Sequence, residues 1–135
     1  MRRLSRVDVT GTLEPWRVAV TGIVTERAAK HAPAALAKLF SLAPDPVSMA
    51  ALEWREVVSV LQCVWRRHLK ARNLLAFSRR WLMDDWSDMR ELPGVGLYVA
   101  DCVGLFCFGD LDLESHNADL ITCASQLRDA ASVKG

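Results

Sequence analysis

A proline and two glycines stand close together late in the chain, in the run Leu92-Pro93-Gly94-Val95-Gly96. Because glycine lacks a Cβ atom, the backbone can turn tightly there and a ligand can approach the peptide groups closely. An apolar segment follows the run, and backbone amides at the start of a helix attract anions such as phosphate. The run therefore predicts a phosphate-binding turn, although taken alone it also suits an ordinary connection between two helices.

A run of positive charge is the second feature that favours an anionic ligand. Between Trp65 and Trp81 the sequence holds six basic residues and no acidic one, namely Arg66, Arg67, Lys70, Arg72, Arg79 and Arg80. Residues 1–82 carry 14 basic and 6 acidic side chains, whereas residues 83–135 carry 3 and 10, so the net charge of +1 combines halves of +8 and −7. This asymmetry suits either a basic face for a polyanion or two solvated helix faces.

Short helices are predicted to position these groups. Glu14-Pro15-Trp16 is typical of a helix start, a second helix is expected at about Pro33–Phe40, and Ser48 is expected to cap a short third one. Apolar residues then recur at helical spacing over residues 54–63 and 69–82. Because no long stretch alternates with a period of two, the predicted fold class is all-α.

The length and composition predict one packed domain over residues 1–135. A content of 51% hydrophobic and 24% charged residues disfavours disorder. The apolar stretch Val99–Phe108 is shorter than the roughly 18 residues of a membrane span, and no apolar signal core follows the basic N-terminus. We therefore expect a soluble intracellular protein without a membrane partner.

The cysteines and histidines do not form a metal-binding pattern in the sequence. Gaps of 39, 5 and 16 residues separate the cysteines, which fits neither a zinc ribbon nor an iron–sulfur cluster; they are Cys63, Cys102, Cys107 and Cys123. Each lies among apolar residues, where a thiol behaves as a small hydrophobe. The sequence therefore predicts structural thiols, no metal site and no cofactor.

With a small residue at Ala100 and an apolar helix after it, the 92–96 turn resembles the helix-hairpin-helix of DNA repair glycosylases. The resemblance is strongest to the thymine glycosylase domain that is attached to methyl-CpG-binding domains. It runs without a gap from Pro15 to Cys107, about two thirds of the chain. Its matching residues are Glu14-Pro15-Trp16-Arg17, Trp54-Arg55-Glu56-Val57, Lys70-Ala71-Arg72, Phe77-Ser78, Trp86, the hairpin and Phe106-Cys107.

The resemblance implies a two-lobed helical fold without an iron–sulfur cluster, and a monomer that binds double-stranded DNA in the nucleoid or another DNA-containing compartment, the cytoplasm if the source is prokaryotic or viral. It places the active site in a cleft that receives a base flipped out of the duplex. Arg27 matches the residue that fills the gap left by that base. The other expected DNA-binding residues are Leu92, Gly94, Val95, Gly96, Arg66, Arg67, Lys70 and Arg72. The acidic residues 84–88 are expected to face away from DNA, with Ser87 or Asp88 capping a short helix.

Tyr98 is the first of two residues to which the resemblance assigns a catalytic role. Bifunctional glycosylases have a lysine at this position, which attacks the sugar and forms a Schiff base. Tyrosine is typical of the thymine-mismatch enzymes, where its ring stacks on the flipped pyrimidine or contacts the sugar. The resemblance thus implies a monofunctional enzyme that acts on thymine or uracil-type bases.

Asp119 is the second residue to which the resemblance assigns a catalytic role. It matches the carboxylate that stabilises the oxocarbenium-like sugar and activates water. A gapless alignment puts Ala118 in the aspartate column, and a shift of one residue restores Asp119 and matches His116. The nearby alternatives are Asp110, Asp112, Glu114, Ser115 and His116.

Two hypotheses follow for the function. The first is a monofunctional DNA glycosylase that excises a mismatched or 5-modified thymine or uracil by hydrolysis and leaves an abasic site. The alternative is a diverged or catalytically inactive helix-hairpin-helix module that binds DNA, or a related protein that acts on hypermodified bases.

Overall fold

The computed structural model describes residues 14–28 and 30–108. Within these ranges all of the regular secondary structure is helical, and there are no β-strands. The predicted all-α class is therefore confirmed. Six α-helices and a 3₁₀ turn follow one another: α1 (Pro15–Thr25), α2 (Ala32–Leu42), α3 (Pro46–Ala50), α4 (Trp54–Val60), α5 (Arg67–Met83), the 3₁₀ turn (Met89–Glu91) and α6 (Leu97–Phe108). None of the described helices combines the length and apolar character that a membrane span requires.

Helix α1 lies at the centre of the described fold and is buried over most of its surface. Pro15 begins it in the first turn, where the missing amide hydrogen costs no bond. Trp16 is fully buried, and its indole N–H donates to the hydroxyl of Ser78 on α5 at 3.1 Å. Because α1 also contacts α2 and α6, it connects the first helices of the chain to the last described one.

Asp45 caps helix α3, and the predicted cap Ser48 lies within the helix. The Asp45 carboxylate accepts a hydrogen bond from the backbone N–H of Ser48 at 2.8 Å, and the Ser48 hydroxyl accepts one from the Asp45 N–H. This capping box places Ser48 in the third helical position. The hydrogen bonds from Ser48 hold the pKa of the Asp45 carboxyl below its usual value.

Helix α5 packs on α3, α4 and α1 and carries much of the buried surface. The helix predicted over residues 69–82 is present, and its buried residues are Lys70, Ala71, Leu74, Leu75, Phe77 and Ser78. Of the apolar residues that predicted it, Leu82 is 43% exposed. The Arg79 guanidinium donates to the carbonyl oxygens of Ala50 and Leu52 and so attaches the segment after α3 to this helix.

The connection from α5 to α6 is held by its own hydrogen bonds. The Asp88 carboxylate accepts from the Arg90 N–H at 2.9 Å and caps the 3₁₀ turn, which confirms one of the two predicted caps. Glu91 accepts from the backbone N–H groups of Ser87 and Asp88, and these bonds lower the pKa of its carboxyl. Within the acidic run, Asp85 pairs with Arg80 at 2.8 Å.

Candidate functional site

A cavity of about 330 Å³ lies where the end of α1, the start of α5, the segment after the 3₁₀ turn and α6 meet. This volume is at the lower end of the range for small-molecule sites. Ten residues line it: Ile23, Glu26, Arg27, Trp65, Arg66, Leu69, Lys70, Asn73, Gly94 and Val99. The lining therefore combines apolar walls with three cationic groups, one carboxylate, one amide and one indole.

The segment from Leu92 to Gly96 forms a tight turn at one side of the cavity. Gly94 has a φ of +81°, and a Cβ atom there would lie 3.0 Å from the Cβ of Asn73. Gly94 therefore satisfies both a left-handed backbone and a close approach to α5. A Cβ on the exposed Gly96 would meet no atom within 4 Å, so the approach to the first amides of α6 is open on that side.

Val95 and Leu92, two of the expected DNA-binding residues, differ in how far their side chains are exposed. Val95 is half-buried, and its N–H donates to the Leu92 carbonyl at 3.3 Å. Leu92 is only 3% exposed and belongs to the hydrophobic core. Its side chain therefore supports the turn from inside, and a contact of that side chain with DNA does not fit this position.

Arg27 lines the same cavity and lies two residues after the end of α1. Its backbone is left-handed, with a φ of +54°, and its side chain is exposed. The N–H of Glu26 donates to the Gly22 carbonyl at 3.1 Å and that of Ala28 to the Thr25 carbonyl at 2.9 Å, so the strained residue is fixed on both sides. The structure thus brings Arg27 and the Gly94 turn, which are far apart in sequence, to one cavity.

Lys70 is buried and does not present its charge to the surface. It is 5% exposed, and its ammonium group donates to the carbonyl oxygen of Val24 at 3.0 Å and also to that of Glu26. These carbonyls lie at the end of α1, where helix geometry leaves backbone acceptors without intrahelical partners. The expected phosphate contact of Lys70 therefore does not fit, and this residue instead holds the backbone that precedes Arg27.

The other expected basic residues, Arg66, Arg67 and Arg72, are exposed. Arg66 has a left-handed backbone with a φ of +56°, directly before α5, and lines the cavity. The Arg67 guanidinium donates to the Gln62 carbonyl at 3.2 Å. These side chains are available to an anionic ligand in solution, and their contacts with DNA stay predictions.

Trp65 lies in the site although the sequence did not predict a role for it. It lines the cavity, is 45% exposed and has the cationic groups of Arg27, Arg66 and Lys70 within 5.6 Å of its ring centroid. The available signal was an aromatic residue at the start of the basic run, a combination that occurs in proteins that bind unpaired nucleotides.

Tyr98 is 3% exposed and does not itself line the cavity, whereas its sequence neighbour Val99 forms part of the wall. Asp119, the expected catalytic carboxylate, and the alternatives Asp110, Asp112, Glu114, Ser115 and His116 lie outside the described residues. Their roles, like that of Tyr98, stay predictions.

The thiols of the described chain are placed partly as expected. Cys102 and Cys107 are buried, whereas Cys63 is exposed, contrary to the expected apolar surroundings. Across residues 14–28 and 30–108, no three His, Cys, Asp or Glu side chains are grouped closely enough to hold a metal ion.

Known proteins resemble this chain both in sequence and in fold. No family model matches the chain. Over 109 residues, covering 80% of this chain and 24% of the relative, it is 23% identical to a methyl-CpG-binding domain protein 4-like protein of Arabidopsis thaliana. A thermostable thymine-DNA glycosylase has a similar structure, with a TM-score of 0.63 and 21% identity over 71% of this chain and 48% of that one.

A second solved structure, endonuclease III trapped in a covalent intermediate with DNA, has a TM-score of 0.64 and 16% identity over 85% of this chain. The described chain has the helix-hairpin-helix fold of DNA glycosylase structures. The chain spans about a quarter of the length of the plant relative, and 48% and 65% of the two solved structures. The 3₁₀ turn, residues 92–96 and α6 form the hairpin region identified in the sequence.

Proposed function

We propose that the chain is a monofunctional DNA glycosylase that flips a thymine or uracil-type base out of duplex DNA and excises it by hydrolysis. The observation that carries this proposal is the meeting of Arg27 and the Gly94 turn at one cavity in a helix-hairpin-helix fold. A glycosylase needs both groups because the bond between base and sugar is hidden in a stacked duplex. The cavity then receives the extruded base.

The two sides of the cavity supply different parts of the flipping step. The open approach at Gly96 lets a phosphate reach the amides at the start of α6, which fixes the DNA backbone. Arg27 enters the gap left in the stack and hydrogen-bonds to the widowed partner base. Its guanidinium offers five donors in a planar group of about base-like thickness, so it suits this role.

Two features support hydrolysis in preference to a lyase reaction. Tyr98 stands where bifunctional relatives have the lysine nucleophile. The lysine that does line the cavity, Lys70, donates its ammonium protons to the carbonyl groups of Val24 and Glu26. These bonds hold the Lys70 nitrogen at the end of α1, and a lyase reaction would require it to leave both carbonyl groups.

The hydrolytic step requires a carboxylate, and we assign it to Asp119. As the base leaves, the sugar gains positive charge, which an ionised carboxylate stabilises while it orients the attacking water. The bond between base and sugar breaks and its electrons leave with the base, while the water oxygen bonds to the sugar carbon. The Asp119 carboxylate takes the proton of that water, and the departing base is protonated from solvent. The product is an abasic site.

Incubation of the full chain with duplexes that contain T:G, U:G or 5-hydroxymethyluracil:G, followed by alkali, tests this proposal. We expect strand breaks at the modified position in at least one duplex and none in a matched T:A duplex. Asp119→Asn should lower the rate by about 10²–10⁴-fold, whereas the matched change Asp112→Asn should leave it nearly unchanged. No breaks in any duplex would refute the activity, and full activity of Asp119→Asn would refute the assignment.

The alternative is a module that binds DNA without cleaving it. It is favoured by the gapless alignment, which puts Ala118 in the column of the catalytic aspartate. This alternative predicts salt-sensitive binding to duplex DNA with no base release, so the same incubations discriminate between the two functions.

A further inference from the structure

Trp65 differs from other described tryptophans in what surrounds its ring. Trp16 and Trp86 are buried. Trp54 is 41% exposed, but its ring packs against His68 and its indole N–H donates to the His68 carbonyl at 3.2 Å. Trp65 is 45% exposed and forms part of the cavity wall, and the cationic groups of Arg27, Arg66 and Lys70 lie near its ring. Core packing therefore does not account for its position.

The cations around Trp65 create a surface suited to a nucleotide. The Arg66, Arg27 and Lys70 groups lie 5.4, 5.5 and 5.6 Å from the ring centroid. The electron-rich ring face attracts these cations. The exposed Arg66 side chain can bind a phosphate, and an aromatic face beside it can stack on a base.

The backbone on either side of the ring is held in an unfavourable conformation. Arg27 and Arg66 both have left-handed backbones, which cost free energy for any residue with a side chain. They come from different parts of the chain, yet their guanidinium groups converge on Trp65. Strained residues that meet at one cavity point to a functional arrangement, since packing alone would be served as well by glycine.

We propose that Trp65 is a stacking platform for the base that is displaced into the cavity. The indole ring covers one face of the unpaired base, while Arg66 binds a phosphate next to it. The inference rests on the proposed function for its ligand, an extrahelical base in duplex DNA. Because every base has a π-face, the platform raises the affinity for a displaced base and does not select among bases.

The test uses a duplex with a T:G mismatch whose thymidine carries a 2′-fluoroarabino sugar. The fluorine disfavours positive charge on the sugar, so the base is retained and binding is measured without excision. A 2-aminopurine next to the thymine reports its displacement by increased fluorescence, and anisotropy gives the Kd. The same measurements on a matched T:A duplex report binding that does not depend on displacement.

Three variants separate stacking from simple packing. Trp65→Leu keeps apolar bulk but removes the aromatic face, and Trp65→Phe keeps a smaller one. Trp54→Leu is the matched control, since Trp54 has similar exposure and lies outside the cavity lining. Thermal melting by circular dichroism establishes that each variant is folded.

We expect Trp65→Leu to bind the mismatched duplex roughly tenfold more weakly and to lose most of the 2-aminopurine signal. Trp65→Phe should stay within about threefold of the unchanged chain, and Trp54→Leu should not differ from it. Binding to the matched duplex should change by less than about twofold in all three. A folded Trp65→Leu that keeps its mismatch affinity, or loses affinity for both duplexes equally, would overturn the inference.

The inference and the proposed function fail in different ways. Trp65-dependent binding and displacement without base release from an ordinary T:G, U:G or 5-hydroxymethyluracil:G duplex would retain the platform and refute the glycosylase. Base release that is unaffected by Trp65→Leu, together with unchanged mismatch binding, would retain the glycosylase and refute the platform. Absence of any mismatch preference or fluorescence change in the unchanged chain would refute the platform as well.

Discussion

Three residues other than glycine have left-handed backbones in the described chain: Arg27, Arg66 and Asp84. Arg27 and Arg66 line the cavity, whereas Asp84 ends α5 away from it. An L-residue pays about 1–2 kcal/mol for this conformation, and glycine does not.

Replacing Arg27 should therefore separate stability from function. We expect Arg27→Gly to raise the free energy of unfolding by about 0.5–1 kcal/mol, because the relief of strain exceeds the added entropy of the unfolded chain. The same variant should lose most of its base displacement and release. Denaturant unfolding and the 2-aminopurine assay measure the two effects.

Asp84→Gly is the matched control for the relief of left-handed backbone strain. It should raise the free energy of unfolding by less than Arg27→Gly, since aspartate tolerates the left-handed region better than arginine. Base release should not change. If Arg27→Gly destabilised the protein, or left displacement intact, the assigned role of Arg27 would be wrong.

Single residues were also where the sequence was least predictive. The sequence indicates the charge of Lys70, but its burial depends on the carbonyl groups of Val24 and Glu26, which lie far away along the chain. The place of Trp65 in the site was not predictable for the same reason, because only the folded chain places Arg27 beside it. Both depend on tertiary neighbours that local spacing does not encode.

Among the elements, the turn between the 3₁₀ turn and α6 uses its two glycines for different purposes. Gly94 has a left-handed backbone and lies close to Asn73, so a side chain at this position would destabilise the fold. Gly96 meets nothing within 4 Å and is exposed, so its lack of a side chain matters only when a ligand approaches.

The two alanine substitutions should therefore have opposite consequences. Gly94→Ala should lower stability by about 1–3 kcal/mol through strain and the contact with Asn73. Gly96→Ala should leave stability nearly unchanged and weaken DNA binding several-fold, since a methyl group would stand where a phosphate approaches. Thermal melting and anisotropy distinguish them, and equal losses of stability in both variants would contradict this division.

Elements were predicted better than individual side chains because helices depend on local patterns. The apolar spacing after Trp54 and the Pro15 start both predicted helices that the structure contains. The short α3 was located correctly but its cap was assigned to Ser48, since Asp45 and Ser48 can each cap a helix and only the backbone geometry chooses between them.

At the scale of the whole molecule, we expect the basic surface of α5 and the preceding loop to attract DNA. Arg66, Arg67 and Arg72 are exposed, while Lys70 is occupied with backbone carbonyls. Each phosphate that a cation neutralises releases bound counterions, so it adds about 0.9 to the slope of log K against log salt. The number of such contacts can therefore be measured.

Removing an exposed cation should change this slope, and removing the buried one should not. We expect Arg72→Gln to reduce the slope by about 1. Lys70→Met should leave it unchanged and instead lower stability by about 1–3 kcal/mol, because two buried carbonyl groups lose a donor. Anisotropy titrations at several salt concentrations test both, and a reduced slope in a stably folded Lys70→Met would show that Lys70 contacts phosphate after all.

Helical spacing and the hairpin sequence were sufficient to predict the all-α class and the helix-hairpin-helix fold, because both features are local in the chain. The cavity was not predictable in the same way, since its walls come from α1, α5, the hairpin and α6. The position of Asp119 relative to that cavity is still a prediction from alignment.

Direct detection of the released base tests the central claim most directly. The full chain is incubated with duplexes that contain T:G, U:G or 5-hydroxymethyluracil:G, and the solution is analysed by mass spectrometry before any alkali is added. We predict free base from at least one duplex, a DNA strand that stays intact until alkali treatment, and no DNA adduct after borohydride reduction. Binding without any free base would contradict the glycosylase, and a borohydride-trapped adduct would contradict its monofunctional mechanism.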